Sequence, residues 1–193
     1  MNISFKHKQF FIWLKECLQY FFLLSFAYAG IYFLNNSITG FLYLAPAAHL
    51  IHIPSGFKLL FVLVGRWAGA AAIACVSFVN AYYIAFQGDL FLDLALASAS
   101  GLAPLLTWLL FKYRFHITEN LENITYPDML GMGIFFAVLN SALHQMVIFW
   151  SGAQNNFLKG IITMGIGDIT GLYIVFLVIK LITHFIPPRK TEQ

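Results

Sequence analysis

Apolar runs of roughly 20 residues alternate with short polar breaks along almost the whole chain, and a stretch of about 20 apolar residues is what a helix needs to cross a bilayer. The runs fall at about 10–34, 40–64, 67–86, 90–111, 128–150 and 160–186. This pattern predicts an all-α polytopic transmembrane helix bundle of about six spans, a single integral membrane domain over residues 1–193. The second run is interrupted by Pro46 and by Pro54-Ser55-Gly56, so that span is expected to be broken at Pro54–Gly56, since proline removes a backbone donor and glycine permits a reversal. Non-helical backbone at membrane depth survives only where protein or a cavity lines it. A new helix start near Ser55 could then receive an ion or a small anion, as discontinuous helices do; an ordinary proline kink is the plainer alternative.

Composition agrees with the pattern. Of the 193 residues 60% are hydrophobic and only 10% charged, whereas soluble domains are about a quarter charged. The net charge of +3 does not indicate nucleic acid, because the basic residues gather at helix ends instead of along one stripe. Read as topology signals, Lys6, Lys8, Arg66, Lys112, Arg114, Arg189 and Lys190 share one side and Lys159 lies on the other. That distribution places both termini in the cytoplasm of a bacterium, with the chain in the cytoplasmic (inner) membrane. The basic, then apolar N-terminus lacks a small-residue cleavage pattern and is kept as the first helix. Trp13, Trp67, Trp108 and Trp150 fall near span ends, where an aromatic belt would sit. Gly65, Gly69, Gly131, Gly133, Gly165, Gly167 and Gly171 suit close helix packing. Cys17 and Cys75 read as free thiols.

Ionisable groups within a bilayer are expensive, so each is a candidate site. Asp168 falls near the middle of the last span. His49 and His52, three residues apart, are expected on one face of the second span, with Lys58 deeper. His144 and Asn140 lie in the fifth span. These side chains form a hydrogen-bonded packing cluster, a ligand or proton site, or a metal centre. No HExxH, CxxC or CxxCH run favours the metal, and no cofactor is identified. No nucleophile-base set or phosphate-cradling loop appears, so catalysis is not expected.

Ile53-Pro54-Ser55-Gly56, an apolar run, Gly65-Arg66-Trp67-Ala68-Gly69 and then Asn80, together with Gly167-Asp168-Ile169-Thr170-Gly171, resemble the type-one membrane-associated sensor domain of bacterial signalling proteins. The resemblance covers about residues 42–181. Members often have an aromatic before the proline and a proline after the tryptophan, where this chain has Ile53 and Ala68; they usually have about eight spans and feed a kinase or cyclase output domain. The resemblance implies a membrane-embedded sensory module without its own output domain, coupled to a separately encoded kinase or cyclase, with Arg66, Asn80, Asp168 and Gly171 at motif positions. A small-molecule transporter subunit, the substrate-binding membrane component, is the rival reading, and a pure assembly protein a third. The expected partners are the lipid bilayer and that output protein. A homo-oligomer is compatible with the same surfaces.

Overall fold

The structure, a computed structural model, describes residues 3–45, 48–85, 89–118, 121–153 and 156–185. Its helices are α1 (Ile3–Thr39), α2 (Ile53–Asn80), α3 (Leu90–Arg114), α4 (Tyr126–Trp150) and α5 (Phe157–Phe185), with a π-helical turn at Ala81–Ala85 continuing α2. A 3₁₀ turn at Gly40–Leu42 and a small antiparallel strand pair, β1 (Tyr43–Ala45) and β2 (Ala48–His49), connect α1 to α2. Among the described residues five helices are long and apolar enough to cross a membrane, one of them being residues 53–84 taken as a single stretch.

Several helix starts are fixed by local chemistry. Asp89 caps α3 by accepting from the Leu92 N–H at 3.1 Å, while Lys112 and Arg114 lie in its last turn, where cations suit the helix dipole. Thr125 and Asp128 form a capping box at α4, with a proline in its first turn. Pro54 likewise sits in the first turn of α2, where its missing N–H costs nothing.

The expected span over residues 40–64 is therefore corrected. Helix begins only at Ile53, and Pro54-Ser55-Gly56 forms its first turn instead of breaking a longer helix. The sharp irregularity comes later, at Arg66, whose φ of 50° and ψ of −121° lie far from helical values. There the chain turns back on itself. A Cβ on Gly69 would collide with the Phe61 carbonyl eight positions earlier, which a straight helix would hold well apart. Asn80 donates to the Tyr32 hydroxyl at 2.9 Å, and the same Tyr32 ring packs edge-on against His52, so the two ends of α2 reach one level of α1. We call residues 53–65 the leading arm and 67–80 the trailing arm. At about 1.5 Å per residue the leading arm is about 20 Å long, short of a hydrocarbon core of about 30 Å.

Small residues permit the close crossings. Gly56 faces Val175 and the Gly171 carbonyl, at 2.6 and 3.0 Å from where a Cβ would stand. Gly101 on α3 meets the Ala70 carbonyl at 2.7 Å on the same measure. Around these crossings Tyr28, Leu59, Val62, Ile73, Ala103, Met132 and Phe136 form the apolar core. Three tryptophans, Trp13, Trp67 and Trp150, are exposed, but Trp108 is buried, with Lys112 Nζ 5.2 Å from its ring. Trp108 thus belongs to the core and not to an aromatic belt. Both cysteines are free.

Candidate functional site

Where α2 begins, three irregular residues lie against the middle of α5, and their backbone groups are satisfied one by one. The His52 N–H donates to the Gly167 carbonyl at 3.1 Å, and the Ile53 N–H donates to Asn35 Oδ1 of α1 at 3.0 Å. Thr170 Oγ1 donates to the Leu50 carbonyl at 2.8 Å; Thr39 Oγ1 reaches the Ile51 carbonyl at 3.4 Å. Irregular backbone amid apolar helices requires such pairing, because each orphaned group would cost several kcal/mol in lipid. Gly171 is part of the same fit. A Cβ there would collide with the His52 carbonyl oxygen.

Just inside this start, polar side chains from four helices meet. Asp168 on α5 is fully buried and accepts at both oxygens: from Ser55 Oγ of α2 at 2.5 Å and from Asn140 Nδ2 of α4 at 2.7 Å. Lys58, one turn along the leading arm and also buried, supplies the opposite charge that acts on Asp168. Its Nζ donates to Ser100 Oγ of α3 at 3.3 Å. Ser100 Oγ lies 3.0 Å from His144 Nε2, and His144 Nδ1 lies 2.8 Å from the Asn140 carbonyl. The cluster therefore runs from Ser55 through Asp168, Asn140, His144 and Ser100 to Lys58. It joins α2, α3, α4 and α5 by side chains no more than 5% exposed.

Two acceptors at its edge are unspent. Asn140 Oδ1 and Gln145 Oε1 are buried without a hydrogen-bond partner, although Gln145 Nε2 points at Met164 Sδ, 3.7 Å away.

The structure brings together Ser55, Lys58, Asn140, His144 and Asp168 from the residues the sequence nominated. Pro54, Gly56 and Gly171 shape the α2–α5 contact beside them. His49 and His52 do not share a helix face, because neither lies within a helix: His49 falls in β2, where its side chain is outside the described residues, and His52 precedes α2. Arg66 marks the fold-back, and Asn80 ties the far end of the trailing arm to α1. Thr170 serves the Leu50 and Gly167 carbonyls instead of Asp168. Among the described residues no three His, Cys, Asp or Glu side chains lie close enough to hold a metal ion.

Ser100 and Asn35 escaped the sequence reading. Ser100 had a faint signal: Pro104 lies four residues on and has no N–H to give the Ser100 carbonyl, at the turn where the hydroxyl is used. Asn35 had none, since it reads as the polar end of a span.

Fold and cluster together define a multi-pass, membrane-type helical protein with a buried polar centre. No family model matches the chain, and neither a curated protein nor a solved structure matches it.

Proposed function

We propose that the chain is a membrane-embedded sensory module of a bacterial cytoplasmic membrane that hands its signal to a kinase or cyclase. The observation that carries this reading is the buried, hydrogen-bonded cluster of Ser55, Asp168, Asn140, His144, Ser100 and Lys58. A cluster shared by four helices has few arrangements that satisfy every member, so a stimulus that alters one bond shifts all four helices together. The short motifs at Pro54–Gly56, Gly65–Gly69 and Gly167–Gly171, which resemble the type-one sensor domain, fall at the α2–α5 crossing and the fold-back, and they support the same role.

The fold-back at Arg66 supports a topology with both termini in the cytoplasm. On this topology the chain would return to the outer side before α3, with Arg66, Lys112 and Arg114 sharing the inner side and Lys159 facing outward, in keeping with the basic-residue rule. On this reading the module has no turnover of its own, and nucleotide hydrolysis by the pure protein would overturn that part.

A transporter membrane subunit is the second reading, favoured by the start of α2 beside the middle of α5, the kind of discontinuity at which transporters place their substrates. Isolation of the tagged chain from native membranes separates the two. Co-isolation with a kinase or cyclase, whose output Asp168→Asn abolishes, supports sensing. Co-isolation with an ATP-hydrolysing pair supports transport and contradicts it.

A further inference from the structure

The hydrogen bonds that pass through Ser100 have one consistent direction when His144 is neutral. A backbone carbonyl can only accept, so His144 Nδ1, 2.8 Å from the Asn140 carbonyl, carries the ring proton. Nε2 is then the acceptor, and the Ser100 hydroxyl 3.0 Å away must donate to it. The Ser100 oxygen in turn accepts from Lys58 Nζ at 3.3 Å. Ammonium, hydroxyl and imidazole, from α2, α3 and α4, thus stand in donor-to-acceptor order, each no more than 5% exposed.

We propose that Lys58, Ser100 and His144 form a proton-transfer path, so that the ligand of this site is the proton itself and its transfer moves positive charge from α2 to α4. In the step, an N–H bond of Lys58 breaks as its proton joins Ser100 Oγ, while the Ser100 O–H bond breaks as Nε2–H forms on His144. A neutral amine and an imidazolium result; total charge is unchanged and no electron is exchanged. The product uses the same heavy-atom positions. The imidazolium donates from Nδ1 to the Asn140 carbonyl and from Nε2 to Ser100, whose remaining hydrogen points to the amine lone pair.

Every helix packed around the path contributes to its electrostatics or its geometry. Asp168 of α5 attracts the charge when it resides on Lys58, Lys58 of α2 opposes a second charge on His144 of α4, and the buried Tyr28 of α1 acts on Asp168 only through space. From α3 comes the Ser100 hydroxyl. Charge on Lys58 holds α2 to α5 through Asp168, whereas charge on His144 releases that attraction and places it beside α3. This inference rests on the sensory reading only for its purpose; the path can exist whether or not a partner listens to it.

The test is nitrogen NMR of the full chain in lipid nanodiscs with ¹⁵N-labelled histidine, the His144 signals being assigned by their loss in His144→Gln. At neutral pH the ring is expected as the Nδ1–H tautomer, converting to the doubly protonated form on acidification. Ser100→Ala should keep the tautomer but slow exchange between the two forms at least tenfold, and Ser100→Thr should restore the rate. An Nε2–H tautomer in the unaltered protein overturns the proposal, as does exchange in Ser100→Ala as fast as in the unaltered chain. If the NMR outcome is as expected but an isolated partner kinase or cyclase ignores Ser100→Ala, the sensory reading fails and the path stands.

Discussion

α1 and α3 are almost equally apolar, yet most of the apolar stretch of α1 is left uncovered by the protein while most of that of α3 is buried within it. Hydropathy therefore marks a candidate span without saying where in the bundle it sits. What separates the two helices is the size and chemistry of their side chains. α3 is built from Ala97, Ala99, Ser100, Gly101, Ala103 and Thr107, all buried, so other backbones can come close. α1 turns Phe22, Phe26 and Phe33 outward, at 56%, 78% and 72% exposure. Its main polar commitment to the rest of the bundle is made near its end, through Asn35 and Thr39. In a membrane the apolar effect does not distinguish inside from outside, so close packing and hydrogen bonds decide which helix is central.

The largest expected effect lies at the centre, on the charge that α3 helps to hold. Lys58→Met takes away both the ammonium that donates to Ser100 Oγ and the opposite charge acting at longer range on buried Asp168, and a buried charge left uncompensated costs about 3–5 kcal/mol. Denaturant titration of the protein in mixed micelles should show it. A pair of glycine substitutions probes the contrast next. Gly101→Leu forces side-chain atoms into the Ala70 carbonyl and Ala74, an overpacking expected to cost about 3 kcal/mol, whereas Gly30→Leu on α1 meets nothing within 4 Å and should change stability by less than about 0.5 kcal/mol. Equal losses at both positions would remove the distinction between the helices.

Asn35→Ala is expected to be intermediate, because it leaves the Ile53 N–H unpaired at the head of α2, at a cost of about 1–3 kcal/mol. Amide hydrogen exchange at Ile53 should rise with it. Phe26→Ala, on the outer side of α1, should fall within about 0.5 kcal/mol of the unaltered chain in the same titration.

These residues also show what was legible in the sequence. The last three helices follow directly from hydropathy, since α3, α4 and α5 coincide with expected runs to within a few residues. α1 is longer than its apolar run because Asn35, Asn36 and Ser37 remain helical, Asn35 being spent on Ile53 and Ser37 on the Phe33 carbonyl. Residues 40–52 are nearly as apolar as a helix, and the average hides their short strands and turns. The pairing of His49 with His52 failed with that helix, because a three-residue spacing has meaning only on a helical surface. Asp168 and Asn140 were legible as rare polar groups within expected spans, and they do bond. Ser100 was marked only by Pro104 four residues on, because a hydroxyl among alanines and glycines reads as one more small residue until its neighbours on α2 and α4 are known.

The claim on which the rest depends is that Lys58 and Asp168 act as one unit at the centre of the bundle. A double-mutant cycle of Lys58→Met and Asp168→Asn, read by unfolding in bilayer-like micelles, measures it most directly. Each single change should be costly and the pair much less than their sum, with a coupling of about 2 kcal/mol, within the usual range for residues sharing one network. Losses that add to within about 0.5 kcal/mol, as for distant sites, would contradict the account.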